Sequence, residues 1–192
     1  MRELALHILD IAENSISAGA SQVEISVIRN TRDDQLRISV RDNGKGMGEE
    51  MLTSVINPFV TSRTTRKVGL GIPLLKQAAE ACNGGLTVDS HPGKGTEITA
   101  TFQDNHIDRM PLGDLADTFL SLLIGTPEVN WVLHYQADDQ VFHFDDREVK
   151  AAIEGMSLTD YRVIEYLTTT IKDGVTGINN IELIQGANNA NN

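Results

Sequence analysis

Along residues 2–17 the apolar positions Leu4, Ile8 and Ile11 recur with a helical period. Glu3, His7, Asp10, Asn14 and Ser17 step by four, three, four and three residues, a spacing that gathers five polar side chains on one helix face. The segments "QVEISVI" (Gln22 to Ile28) and "LRISVRD" (Leu36 to Asp42) alternate as strands do, with "RNTRDD" as the turn between them. "EEMLTSVI" predicts a short helix. "GIPLLKQAAEACNGG" predicts a longer one, with Pro73 in its first turn and Gly84–Gly85 ending it. "GLTVDS" and "TEITATF" predict two further strands around the turn "HPGKG". The order α-β-β-α-α-β-β implies an α+β fold, a two-layer α/β sandwich with helices covering one face of a largely antiparallel sheet, closing near Phe102.

Beyond this unit the composition shifts, and "QDNHIDRMP" reads as a linker. A helix is expected over Leu112–Ile124, then a hairpin in "VNWVLHYQADDQVFHF" turning at Asp138–Asp139. Two helices follow over Arg147–Glu154 and Asp160–Lys172, the second opened by the capping signal "SLTD". The expected organisation is a first domain over 1–103, a small C-terminal α/β accessory or interaction lobe over 104–178, and an Asn-rich tail over 179–192. That tail lacks the apolar content for a packed core and is expected to be disordered.

Charge narrows the function classes. Acids outnumber bases 27 to 16, for a net charge of −11 in 192 residues, which disfavours non-specific binding to nucleic acid or anionic membrane. The single cysteine, Cys82, rules out an intrachain disulfide and a cysteine-built zinc site; on the apolar side of its helix it reads as a buried, inert thiol. No apolar run reaches membrane-spanning length and no signal-peptide pattern opens the chain, so a cytoplasmic location is expected.

Three glycine-rich segments carry the candidate chemistry. "DNGKGM", Asp42 to Met47, follows a strand directly and by itself reads equally well as a turn. "VGLGIPLL" places Gly69 and Gly71 just before a helix, where backbone N–H groups approach an anion. "GKGTE", Gly93 to Glu97, alone would be a hairpin turn. Two familiar nucleotide fingerprints fail. Lys94 is followed by Gly95 rather than Ser or Thr, and Leu74 stands where a third glycine of G-x-G-x-x-G belongs, which excludes P-loop and Rossmann readings.

The order of the segments is more specific than any one of them. A helix with Asp10 and Asn14 is followed by "DNGKGM", "NPFVTSR", "VGLGIPLLKQAAEACNGG" and "GKGTEITATF". This succession, over roughly residues 1–103, resembles the GHKL superfamily, which includes gyrase-type topoisomerases, large heat-shock chaperones, histidine kinases and MutL-type repair proteins. "ENSISAGA" is most similar to the MutL branch, and the stretch from "NPF" to "ATF" to histidine kinases. The resemblance implies the Bergerat ATP-binding fold, with ATP and Mg²⁺ as cofactors.

Residue by residue, the resemblance makes Asn14 the amide that completes a magnesium shell supplied mostly by phosphate and water. Asp10 takes the position where hydrolysing members carry a glutamate base, one methylene longer. Asp42 matches the carboxylate that accepts from the adenine amino group, with Gly44, Gly46 and Met47 beneath the base. Phe59 matches an aromatic at the edge of a lid. Within that lid Arg63, Arg66 and Lys67 are natural triphosphate partners. Gly69, Leu70 and Gly71 would offer amides to the phosphates, and Thr96 a late hydroxyl. His7 is expected to be a supporting or exposed residue. A phosphoacceptor-histidine domain of the sensor-kinase type is not recognised.

The expected activity is therefore that of a Mg·ATP-binding ATPase or ATP-driven switch. Alternatives are a kinase acting in trans on a partner, as the anti-sigma-factor kinases do, and a non-hydrolysing ATP sensor. Expected partners are ATP and an unidentified protein, with a homodimer admitted, and neither nucleic acid nor membrane.

Overall fold

The computed structural model describes residues 3–56, 71–153 and 155–189. Helix α1 (Leu4–Ser17) is followed by β1 (Gln22–Asn30) and β2 (Gln35–Asp42), then α2 (Glu49–Ile56) and α3 (Gly71–Ala81), then β3 (Gly85–His91) and β4 (Gly95–Gln103). The chain continues with α4 (Leu115–Gly125), β5 (Asn130–Ala137), β6 (Gln140–Asp145), α5 (Asp146–Ala152) and α6 (Tyr161–Asn189). The expected α+β sandwich is what the chain forms. Its sheet has six strands in the order β3-β4-β2-β1-β5-β6.

Side-chain parity explains the layering. Val23, Ile25 and Val27 of β1, Leu36, Ile38 and Val40 of β2, and Ile98, Ala100 and Phe102 of β4 are buried. Between them on β2, Arg37 and Arg41 are exposed, so this part of the sheet has one dry face and one wet face. Helix α1 closes the dry face with Leu4, Ile8, Ile11 and Ala12, all at most 2% exposed. Leu4, Ile8 and Ile11 each contribute about 1.5–3 kcal/mol by leaving water.

The sheet does not end with the first unit. β5 pairs in parallel with β1, aligning Trp131, Leu133 and Tyr135 with Val23, Ile25 and Val27. Left alone, β1 would be an edge strand with unpaired amides and carbonyls, and β5 removes that edge. Phe119 of α4 meets Trp131 and Phe144 edge-to-face at centroid distances of 6.4 and 5.8 Å, and its neighbours join the same continuous core. Leu4 and Ala5 of α1 also donate backbone hydrogen bonds to Pro111 and Leu112 (3.0 and 2.8 Å). Residues beyond 103 thus extend the first sheet and core, where the sequence pattern read a linker and a small lobe.

Some element ends also differ from expectation. Helix α3 is terminated by Asn83 in the left-handed region (φ 55°), one residue before Gly84. The last helix runs from Tyr161 to Asn189, well past the expected Lys172 and through residues expected to be tail.

Candidate functional site

The inner-face parity continues past the apolar part of each strand. Asp42 is in phase with Leu36, Ile38 and Val40, Thr96 with Ile98 and Ala100, and Ser90 with Val88. The register aligns Asp42 with Thr96 and Thr96 with Ser90. Three apolar stripes therefore end in one polar row beneath α1. Asp42 and Thr96 of this row border a cavity of about 180 Å³, walled also by Asn14, Ser15, Gly46, Met47 and Ile72 among others.

The side chains of the row, Asp42, Ser90 and Thr96, each have a defined partner. Asp42 accepts from the Ser15 hydroxyl through Oδ2 (2.7 Å) and from the Gly44 amide through Oδ1 (2.8 Å). The Ser90 hydroxyl accepts from the Met47 amide (2.8 Å) and lies 2.9 Å from Thr96 Oγ1. It also donates to the Gly95 carbonyl at 3.1 Å, which leaves Thr96 as donor in the Ser90–Thr96 pair. Asn14 is solvent-exposed on the cavity wall, and Lys45 stands exposed at the rim.

The floor depends on two glycines. Gly46 and Gly95 have φ of 64° and 100°. A Cβ at Gly46 would lie 2.0 Å from the His91 carbonyl oxygen, and one at Gly95 would lie 1.9 Å from that of Asp42. Only glycine lets the 43–48 loop and the β3–β4 turn close on each other this tightly.

Asp10 lies elsewhere. It is not on the cavity wall but against the start of α3: a Cβ at Gly71 would stand 1.5 Å from Asp10 Oδ2. One turn before it, His7 is only 2% exposed, so of the two expectations for this residue the exposed one is overturned; the apolar packing of α1 carries it inward. Burial holds its imidazole below the usual histidine range, against the pull of its hydrogen bond to the Gly71 backbone and of the Asp10 carboxylate.

The structure thus gathers Asn14, Asp42, Gly46, Met47 and Thr96 around one cavity, with Gly44 packed behind it, and sets Asp10 and Gly71 together beside it. Phe59, Arg63, Arg66, Lys67, Gly69 and Leu70 lie outside the described residues. Sequence reasoning missed Ser15, Ser90 and Lys45. Ser15 had a signal, as a hydroxyl in the buried stripe Ile8, Ile11, Ala12. Cys82 is buried as expected, and burial raises its thiol pKa.

Residues 2–106 match the family model described as "Histidine kinase-, DNA gyrase B-, and HSP90-like ATPase". The chain belongs to this family. It is a GHKL ATP-binding domain related to those of histidine kinases. Among its relatives, Sporulation kinase D of Bacillus subtilis is 32% identical over 94 residues, covering 49% of this chain and 18% of that protein. Sensor protein kinase FleS of Pseudomonas aeruginosa is 40% identical over 92 residues, covering 48% of this chain and 23% of that protein. The chain therefore spans less than a quarter of the length of these two relatives. A solved structure described as the N terminal domain of a DNA repair protein shares the fold, with a TM-score of 0.55 and 12% identity over 91% of this chain and 58% of that one. Among the described residues no helix is long and apolar enough to cross a membrane, and no cluster of three or more His, Cys, Asp or Glu side chains is placed to hold a metal.

Proposed function

We propose that this GHKL domain binds Mg·ATP in the cavity beneath α1 and turns it over, as an ATPase or an ATP-driven conformational switch. The observation that carries the reading is Asp42. Its two oxygens are held by Ser15 and the Gly44 amide, and each keeps a lone pair for a further donor. A carboxylate only accepts, so it selects the amino group of adenine over the carbonyl of guanine.

Asn14 offers an amide oxygen from the same wall, a hard ligand suited to Mg²⁺, which takes its other oxygens from phosphate and water. Bound there, the ion would supply charge neutralisation to the phosphates. Asp10 acts as the base that takes a proton from the attacking oxygen. Phe59, Arg63, Lys67, Gly69, Leu70 and Gly71 complete the reading as the lid and its triphosphate contacts, and Thr96 closes the polar row. The hydrogen bonds from Leu4 and Ala5 to Pro111 and Leu112 couple the nucleotide helix to the segment beyond residue 103, which serves as the output toward an unidentified protein partner.

The kinase names of the relatives favour a second reading, phosphoryl transfer to another protein. The test compares wild type, Asp10→Asn and Asn14→Ala with Mg·ATP. Asn14→Ala should weaken Mg·ATP binding, and Asp10→Asn should bind normally but lose chemistry. Phosphate release without a partner supports hydrolysis, and labelled phosphate on a partner supports transfer. Normal turnover by Asp10→Asn refutes the base assignment, and ATP binding with neither product reduces the domain to a sensor.

A further inference from the structure

Among the described residues β6 is an edge of the sheet, paired only with β5, residue for residue and without a bulge. Beyond that pairing no backbone group of Gln140–Asp145 has a backbone partner among the described residues, so the N–H and C=O groups on its outer side are open. Exposed edges are commonly blunted by lysine, proline or a bulge, and "QVFHFD" carries none of these. Val141 is instead 56% exposed. A cavity of about 450 Å³ opens along the same edge. Four consecutive residues of β6, Phe142 to Asp145, line it. Their side chains alternate between the two sheet faces, so the strand's backbone edge is what borders the cavity. Opposite walls come from α5 and α6, where Ala152 and Tyr166 are exposed, and from Met156 between those helices.

Charge selects the occupant. All four cations of the stretch 140–178 are already held in ion pairs: Arg147 by Asp145, Lys150 by Asp146, Arg162 by Asp160 and Lys172 by Asp117. Glu148 on the cavity wall, and Glu165 and Asp173 on α6, are exposed carboxylates with no ion pair among the described residues. The groove is therefore apolar within and carries uncompensated negative charge at its rim. A second copy, at net −11, would bring more charge of the same sign. We propose that a basic, extended segment of a partner protein adds to β6 as a further strand. Its backbone bonds to the open edge, alternate apolar side chains seat in the cavity, and a lysine or arginine reaches Glu148. The docking rests on the reading of the residues beyond 103 as the output toward a protein partner, and it supplies that partner's chemistry. It involves none of the residues beneath α1, so it is measured without nucleotide, which keeps its failure apart from a failure of ATP binding or turnover.

The test titrates the full chain, free of nucleotide, with a short capped peptide that alternates lysine with valine, and follows backbone amide shifts. Binding should saturate, with the largest shifts at Gln140–Asp145 and on the walls of the cavity. Replacing the lysines by glutamates should abolish it. Methylating the peptide's backbone nitrogens removes its donors to β6 and should weaken binding about tenfold or more. Glu148→Lys should weaken it about fivefold, and Ala152→Phe, which fills the cavity from α5, about tenfold. Both changes lie on the surface, so Tm should stay within about 2 °C of wild type, and affinity for a fluorescent ATP analogue should be unchanged. Undiminished binding of the methylated peptide overturns strand addition, and equal binding of the glutamate peptide overturns the charge selection. No binding of the lysine peptide up to millimolar concentration, or shifts that avoid β6, overturns the site on wild-type data alone. If the chain instead self-associates and Ala152→Phe separates the copies, the edge belongs to a second copy and the proposal falls.

Discussion

Ser15→Ala is the sharpest probe of the polar row. The hydroxyl lies 2.7 Å from Asp42 Oδ2 and 3.3 Å from the Ile11 carbonyl, so its proton goes to the nearer, charged acceptor. Alanine is the better helix former, and propensity alone predicts a gain of up to about 0.5 kcal/mol within α1. Against that stands a hydrogen bond to a charged group, worth about 1.5–3 kcal/mol. Asp42 is half-buried and recovers part of this from water, so the net loss should be about 1–1.5 kcal/mol. For a chain of this size that is a fall in Tm of roughly 3–5 °C. The same carboxylate, held afterwards only by the Gly44 amide, should lose about tenfold in ATP affinity, equivalent to about 1.4 kcal/mol. Thermal denaturation and equilibrium titration with a fluorescent ATP analogue, with GTP in parallel, measure both quantities. An unchanged or raised Tm together with unchanged ATP affinity would refute the role given to Ser15 and the orientation argument for Asp42.

Three further outcomes are expected. Gly71→Ala, which on helix propensity should be neutral or favourable by up to about 1 kcal/mol, must displace Asp10 Oδ2 and should lower the rate of phosphate release at least tenfold; an unchanged rate would separate Asp10 from the chemistry. Gly95→Ala sets a methyl into the Asp42 carbonyl at φ 100° and should cost about 2 kcal/mol or more in urea unfolding, with loss of ATP binding. Burial lifts the Asp146 carboxyl above its usual range although Lys150 Nζ lies 2.9 Å away. Its proton is therefore held more tightly in the native than in the unfolded state, so its stabilising share is complete below the ordinary carboxyl pKa and is lost as pH climbs through the raised native value. The stability difference between wild type and Asp146→Asn should thus move in the variant's favour as pH rises; a constant difference from pH 3 to 7 contradicts the assignment. Asp138 and Asp145, held low by Thr31 and Arg147, act in the opposite sense and lose their share as pH falls.

Much of the site was legible because its spacing is local. The step pattern of α1 put Asp10 and Asn14 on one face, and two-residue alternation ran through "LRISVRD" straight into "DNGKGM", so Asp42 inherits the inward direction of Val40. What was not legible is what each of these side chains meets. Ser15 reaches Asp42 across 27 residues, and Ser90 reaches the Met47 amide across 43. His7 looked like one more member of a polar stripe, and only the packing of α3 on α1 buries it against Gly71.

The same division holds for the whole chain. Periodicity and turn residues by themselves determined the elements of the first hundred residues, and the resemblance carried by the ordered segments pointed to the nucleotide-binding family. Only the tertiary structure decided that β5 lies parallel to β1, about a hundred residues away, so that the later segment completes the first sheet. It also separated Asp10 from the cavity that Asn14 lines. The physical reason is that alternation reports which side of an element avoids water, and that is a property of neighbours along the chain. Which element supplies the cover depends on shape, register and unpaired edges brought together only when distant segments pack.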